Sequence, residues 1–307
     1  MPPVRRWGVC RVAATQVLIV FNPVSGSGNR RIVEAVQQAL SNRGCDVSLY
    51  PTQSAGDATH YLSAYTGPLD VVAVAGGDGT VNEVVNGLRQ RDNQSYRLAL
   101  IPTGTTNVLA AELGIGKAPD KIADIIINGR EKPIYLGDIN GRRFVLMAGV
   151  GYDAWVVDNV DLALKKKVGK LAYVLSMLKQ LRHFGKKTYQ LTVDGERYQA
   201  NSVVITNGRY YAGSFVLSRQ ADLSKATTQV LMISGRNPLK FLGILLGLPL
   251  GIMEKMPGMK SVAARHVQIE LLNAGTEREP VQADGDSLAE LPLHLQMEDS
   301  PVRLLIP

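Results

Sequence analysis

Residues 69–88 read LDVVAVAGGDGTVNEVVNGL, and this stretch decides the fold. It opens with a β-branched apolar run, Val71, Val72 and Val74, which predicts a buried strand. The run breaks at Gly76-Gly77-Asp78-Gly79-Thr80. Apolar residues then resume at helical spacing at Val81, Val84, Val85 and Leu88. A strand that feeds a helix through a glycine-rich turn is suited to an anion, because the backbone can approach closely and the helix N-terminus directs amide hydrogens at it. A carboxylate at Asp78 would repel a phosphate unless it handles a metal or a protonated group. The plainer reading is an ordinary strand–turn–helix with Asp78 in a local turn hydrogen bond.

Outward from this stretch the same unit recurs. Residues 17–21 form a short apolar strand ended by Asn22-Pro23-Val24-Ser25-Gly26-Ser27-Gly28, with a helix over 32–40. Residues 47–50 make another strand, followed by Thr52 and a helix over 57–65. Residues 97–101 give one more, ended by Pro102-Thr103-Gly104-Thr105-Thr106-Asn107. Alternating strands and helices predict an α/β N-terminal domain, its sheet mostly parallel with helices on both faces. Ligands of such sheets bind beyond the carboxyl ends of the strands. Loops 22–28, 76–82 and 102–107 all lie at that edge.

Past Pro133 the pattern changes to a β-rich antiparallel C-terminal domain with inserted helices. Residues 134–139, Asn140-Gly141 and 143–148 predict a hairpin, and 189–193, Asp194-Gly195 and 197–205 a second. Strands are also expected at 230–234, 267–272 and 302–306. The boundary falls at 130–137, giving domains 1–136 and 137–307, with the extreme C-terminus free to return to the first. A helix over 164–184 carries Leu164, Val168, Leu171, Leu175 and Leu178 on one stripe, and eight Lys/Arg with no acid lie between Leu162 and Val193. It reads either as a solvated face or as a basic element resting on anionic lipid headgroups. The block PLKFLGILLGLPLGIMEKMPGMK is apolar nearly all round and flanked by lysines. It reads as a buried helix, or as the wall of a lipid-sized cleft that dips into the interface.

The chain has 307 residues, 45% hydrophobic and 20% charged, with a net charge of +7 that favours an anionic partner. Only 6% are aromatic, which disfavours a reader of single-stranded nucleic acid. Cys10 and Cys45 form no disulfide framework, the four histidines are scattered, and a reducing cytosol fits best. Arginines ahead of the first apolar run faintly echo a signal peptide, but the run flows into Asn22-Pro23 with no cleavage-like site and reads as a strand. There is no Walker A pattern and no Gly-x-Ser-x-Gly elbow. Gly149-Val150-Gly151-Tyr152-Asp153-Ala154 matches a dinucleotide fingerprint only on paper, because it follows a hairpin strand and no acid lies about 20 residues on.

Taken in order, these motifs resemble the diacylglycerol kinase catalytic-domain family, which includes bacterial lipid kinases and sphingosine kinases. Gly76-Gly77-Asp78-Gly79-Thr80 with Asn82-Glu83 resembles its nucleotide motif. The loops at 22–28, at Thr52 with Gly56-Asp57-Ala58, and at 102–107 resemble its flanking loops. Gly149-Val150-Gly151-Tyr152-Asp153-Ala154 resembles its Gly-x-Gly-Phe-Asp-Ala segment, and Asp284-Gly285-Asp286 falls where the family has Asp-Gly-Glu. The resemblance covers about residues 15–307. It implies phosphoryl transfer from ATP, with Mg²⁺, to a lipid hydroxyl. Asn22, Pro23, Ser25, Gly26, Thr52, Gly76, Gly77, Asp78, Gly79, Thr80, Val81, Asn82, Gly104 and Thr105 would hold the nucleotide. Asp78 would organise Mg²⁺ and the phosphates. Asp284 would take the proton from the hydroxyl, with Asp286 in support. Asp284-Gly285 also reads simply as a hairpin turn.

Two departures stand out. Asp286 is one methylene shorter than the family's Glu. In the segment Leu217-Ser218-Arg219-Gln220-Ala221-Asp222-Leu223-Ser224-Lys225-Ala226, Arg219 replaces a proline, and Lys225 replaces an aspartate that binds a structural Mg²⁺ in the family. The expectation is that this metal is absent and the Lys225 ammonium partly replaces its charge, unless Asp222 rescues a shifted site. The expected partners are ATP and a lipid at an anionic membrane surface, not nucleic acid, with self-association into a homodimer left open. The expected location is cytoplasmic and peripheral to the membrane. The alternatives are an NAD kinase, which shares Gly-Gly-Asp-Gly-Thr, and a degenerate lipid-binding or regulatory protein.

Overall fold

The structure is a computed structural model and describes residues 14–26, 29–92, 95–159, 179, 181, 184–272 and 278–307. Strands β1 (Gln16–Phe21), β2 (Asp46–Pro51), β3 (Val71–Gly76) and β4 (Arg97–Pro102) run parallel in the order β2-β1-β3-β4. All six residues of β3 are buried, because helices cover both faces of the sheet; hence its unbroken apolar run. The helices are α1 (Asn29–Asn42), α2 (Asp57–Ala64), α3 (Asp78–Gly87), α4 (Val108–Glu112) and α5 (Pro119–Asn128). Val33, Val36 and Leu40 of α1 pack with Ile122 and Ile126 of α5 on one face. Leu62 of α2 packs with Val81, Val84 and Val85 of α3 on the other. The strand order reverses between β1 and β3, so the loops after these two strands part to opposite faces and open a crevice.

The sheet is completed by β20 (Val302–Ile306), parallel to β4, and by β5 (Arg130–Ile134), antiparallel to β20. The chain's last strand therefore belongs to the first sheet. The strand expected over 134–139 is two pieces. Residue 134 ends β5, and β6 (Gly137–Ile139) begins the next sheet. The strand expected over 143–148 divides likewise into β7 (Arg142–Phe144) and β8 (Met147–Val150), and 197–205 into β10 (Glu196–Ala200) and β11 (Ser202–Thr206). In each case the chain crosses between sheets, which an apolar run does not reveal.

Two six-stranded antiparallel sheets form a sandwich. One has the order β10-β9-β16-β19-β6-β7, with β9 (Tyr189–Val193), β16 (His266–Leu271) and β19 (Leu293–Met297). The other has the order β15-β14-β11-β8-β17-β18, with β14 (Thr228–Ile233), β15 (Met259–Ala264), β17 (Pro280–Ala283) and β18 (Asp286–Glu290). Phe144, Leu191, Val203, Val230, Val267, Val281 and Leu295 fill the space between them. The small hairpin β12 (Tyr210–Tyr211) and β13 (Phe215–Val216) stands apart. Strand β9 alternates buried and half-buried residues, as a one-sided strand must, whereas β11 and β14 are buried throughout. The second face of β11 and β14 is covered by α6 (Tyr152–Asp158) and α7 (Pro238–Leu246), through Tyr152, Val156, Phe241 and Ile244.

Asn140-Gly141, Asp194-Gly195 and Asp284-Gly285 all take left-handed φ at both residues, the conformation of a tight hairpin turn. The apolar block of 238–260 is not buried all round. Phe241, Ile244 and Leu248 pack inward, while Leu239 is 76% exposed and Leu250 70%. The basic helix expected over 164–184 lies almost wholly outside the described residues. Among the described residues no helix is long and apolar enough to cross a membrane.

Candidate active site

The ends of β1, β3 and β4 meet as one surface. Asn22 Nδ2 donates to Thr80 Oγ1 at 3.3 Å, and Ser25 Oγ lies 2.8 Å from Thr103 Oγ1. The amides of Thr103 and Gly104 both donate to Gly76 O, at 3.2 and 3.3 Å. A Cβ on Gly104 would sit 2.6 Å from Gly77 Cα, so only glycine lets these two loops touch. Thr52 follows β2 at the same edge, its amide donating to Phe21 O at 2.8 Å. Gly26 and Thr105 are exposed in these loops. Thr103, in the 102–107 loop but not among the residues expected to hold the nucleotide, and Asn86 and Arg143, outside every motif, are part of the framework.

Asp78 does not point freely into the cleft. Its Oδ2 accepts from Val108 N at 2.9 Å and its Oδ1 from Leu109 N at 3.1 Å, so it caps α4. Burial pushes its carboxyl above the usual range, and the two amides oppose that shift. Glu112 at the far end of α4 accepts from Arg209 N of the second domain, at 2.9 Å to each oxygen. Helix α4 therefore couples the glycine-rich loop to the β-rich half.

Asp284 comes to the same place from 202 residues away, and Asn82 Nδ2 donates to its Oδ2 at 2.7 Å. Val145 N donates to Oδ2 at 2.8 Å, while Leu146 N and Met147 N donate to Oδ1 at 2.8 and 3.1 Å. Four donors occupy the four lone-pair directions of the carboxylate. Three belong to backbone; only Asn82 is carried on a side chain that can turn away. Desolvation raises the Asp284 carboxyl above its ordinary value, and the four hydrogen bonds pull the other way. Asp286, at the start of β18, is exposed, with Oδ2 3.5 Å from the position a Cβ on Gly79 would take.

A second tier holds the Asp284 turn. Asn82 Nδ2 and Asn86 Nδ2 donate to Arg143 O at 3.0 and 2.9 Å, and the buried Arg143 guanidinium pairs with Glu298 at 2.7 Å. The spacing of Asn82 and Asn86, one helical turn apart, was the available signal for this grip. Behind the turn, Gly285 N donates to Gln282 Oε1 at 3.1 Å, and Gln282 Nε2 donates to the buried Asp153 at 2.6 Å. Tyr211 Oη donates to the other Asp153 oxygen at 2.6 Å. A Cβ on Gly149 would fall 2.3 Å from Asp153 Oδ2. The Gly149-x-Gly151 segment thus makes room for a carboxylate, not for a dinucleotide.

Asp222 lies elsewhere, in the second domain. Its Oδ1 accepts from Ser224 N at 3.0 Å and Ser224 Oγ at 2.7 Å, which hold its carboxyl below the usual range. It is lined up with Arg209, Arg219 and Lys225, and among the described residues no group of three acids, histidines or cysteines could hold a metal. This set does not fit the structural Mg²⁺ that the family resemblance implies.

Comparison with known proteins bears on family and fold. Residues 16–139 match the family model of the diacylglycerol kinase catalytic domain, and residues 147–306 match that of the YegS C-terminal NAD kinase beta sandwich-like domain. A diacylglycerol kinase of Bacillus subtilis (strain 168) is 33% identical over 231 residues, covering 74% of this chain and 76% of its own. One from Staphylococcus carnosus (strain TM300) is 28% identical, covering 89% of both. A crystal structure of a diacylglycerol kinase from Bacillus anthracis str. Sterne superposes with a TM-score of 0.77 at 26% identity, covering 95% of this chain and 97% of its own. Yeast NADH kinase shares the fold alone, at a TM-score of 0.55 and 11% identity, covering 96% of this chain and 84% of its own.

Proposed function

The chain belongs to the family of the diacylglycerol kinase catalytic domain, a family of lipid kinases, and from that premise we propose that it transfers the γ-phosphoryl group of ATP to a hydroxyl of diacylglycerol or a closely related lipid. The observation that carries this reading is the Asn82–Asp284 contact, which sets a carboxylate of the second domain against the helix that follows the glycine-rich loop.

In this reading the loops at 22–26, 76–80 and 103–105, with Thr52, hold the nucleotide phosphates through backbone amides and hydroxyls. Asp78 acts as a positioning residue through α4. Mg²⁺ arrives as part of the nucleotide substrate, and the exposed Asp286 beside Gly79 is the carboxylate that would meet it. The lipid hydroxyl approaches Asp284 as Asn82 rotates aside and takes over its place at Oδ2. The hydroxyl oxygen bonds to the γ-phosphorus, the bond to the bridging oxygen breaks, ADP leaves, and the proton passes to Asp284. A buried carboxylate with a raised pKa is a stronger base than one in water. The remaining barrier is lowered by positioning and charge neutralisation.

The lipid-facing surface in this reading is the outer side of α7 and the turn after it. Leu239, Leu246, Leu250 and Ile252 are 76%, 63%, 70% and 41% exposed, with Arg236, Lys240 and Lys255 beside them. Apolar side chains ringed by cations suit an anionic bilayer.

One assay tests the reading: labelled ATP offered with diacylglycerol, ceramide, a sphingoid base or NAD in parallel. Label should enter diacylglycerol. Label in NAD alone, or in none of the lipids, would overturn it.

A further inference from the structure

A cavity of ≈ 420 Å³ opens on the second domain, lined by Arg209, Arg219, Asp222, Lys225, Thr227 and Gln229 among others. None of its lining residues belongs to the three strand-end loops or the Asp284 turn. Three cations face one carboxylate, and Asp222 spends its Oδ1 on Ser224. Among the described residues, Arg209, Arg219 and Lys225 make no ion pair within 4.0 Å. Glu254 accepts from the Arg219 backbone amide at 3.2 Å, not from its guanidinium. Lys132 adds a further positive charge near Asp222. Arg209 has the Glu112 carboxylate near it and donates from Nε to Ala221 O at 3.4 Å, so the excess positive charge rests mainly on Arg219 and Lys225. Cations gathered around one hollow lower its affinity for a metal and raise it for an anion.

Arg219 and Lys225 stand at the two positions where this chain departs from the family's proline and metal-binding aspartate. Both departures add a cation to the same cavity. Arg219 also reaches toward the apolar surface, its Nη2 3.3 Å from where a Cβ on Gly251 would lie, between the exposed Leu250 and Ile252.

We propose that this cavity is an anion site, with Arg209, Arg219 and Lys225 gripping a phosphate group and Thr227 and Gln229 supplying hydrogen bonds. Arg forks suit phosphate oxygens, and Lys adds a point charge. The group is either the headgroup phosphate of an anionic phospholipid or a free phosphate.

The test uses the full chain and reads binding alone. Inorganic phosphate is titrated calorimetrically. Flotation is measured with vesicles of phosphatidylcholine, with and without phosphatidylglycerol. The variants are the Arg219→Gln/Lys225→Gln double and a Lys117→Gln/Lys121→Gln control of equal charge loss on the first domain. A tenfold or greater loss of phosphate binding in the first double only identifies free phosphate. A matching loss of binding to phosphatidylglycerol vesicles only identifies the lipid, and loss of both assigns the site to either source. No loss in either arm, or an equal loss in the control, overturns the proposal.

Discussion

Asn82 donates to Asp284 across 202 residues of sequence at 2.7 Å, one of several hydrogen bonds that join the two domains. The other three donors to Asp284 come from residues 145–147, whose side chains pack in the first domain's core with Val81 and Val85. The carboxylate is therefore held by residues whose side chains pack in the first domain's core, while its own hairpin belongs to the second domain's sandwich. Asn82 Nδ2 also donates to Arg143 O at 3.0 Å, and so holds the segment that carries three of the Asp284 donors. Asn82→Ala should lower kcat by about tenfold through loosening of that segment, with a smaller change in the KM for ATP, since a buried acceptor left without its donor costs about 1–3 kcal/mol. Steady-state kinetics with both substrates varied checks this.

Asp78 caps α4 through two amides, so Asp78→Ala should unsettle the loop at 103–107 as well as its own. The expected loss of stability is about 1–2 kcal/mol, the cost of removing a strong cap. The KM for ATP should rise, because Gly104 would no longer be pressed against Gly77. Chemical denaturation and nucleotide titration measure the two effects separately.

Burial raises the Asp284 carboxyl above its ordinary value, so the folded state holds this proton more tightly than the unfolded chain does. The base is active when deprotonated. Activity should therefore fall as pH drops through a value above about 3.9, the ordinary aspartate pKa. The same sign makes this group's contribution to stability favour the protonated side: it is present at low pH and is lost as pH rises from the unfolded value through the folded one. A kcat/KM profile should show the acid limb, and Asp284→Asn should abolish this contribution to the pH dependence of stability.

The bare side of α7 gives a separate prediction. Leu239→Asp with Leu250→Asp places charge on two side chains that are 76% and 70% exposed, so folding should change by less than about 0.5 kcal/mol. Vesicle binding should drop severalfold, while turnover of a dispersed short-chain diacylglycerol stays within about twofold. Flotation and a micelle-free assay separate the two.

Much of this was legible in the sequence, and for identifiable reasons. The run Val71, Val72, Val74 and the break at Gly76-Gly77 are local signals, and they set a buried strand and its loop. Asn140-Gly141 and Asp194-Gly195 carry the left-handed preference in the residues themselves, so both turns could be located. The sheet changes at 135–136 and 145–146 were not legible, because an apolar run looks the same whichever sheet it joins. The partners of Asp78 lie 30 and 31 residues away, and those of Asp284 up to 202, so their hydrogen bonds are decided by tertiary packing. Asp78 begins α3, and its grip on the first amides of α4 has no local signature in the sequence. The filling of all four acceptor directions of Asp284 was equally invisible in the sequence.

The metal question yields to analysis of the purified chain. Without nucleotide, no stoichiometric Mg²⁺ should be found, because one Asp222 facing three cations cannot hold it. One retained Mg²⁺ per chain would contradict the description of that cavity.

The central claim is that Asp284 takes the proton from the lipid hydroxyl. The most direct measurement compares single-turnover phosphoryl transfer in Asp284→Asn and Asp286→Asn, each saturated with ATP and with nucleotide binding measured alongside. The account predicts a loss of about 10²–10⁴-fold for Asp284→Asn with ATP affinity nearly unchanged, and a smaller loss for Asp286→Asn that shifts with Mg²⁺ concentration. Transfer that survives Asp284→Asn but fails in Asp286→Asn would contradict it, and would move the base to the exposed carboxylate beside Gly79.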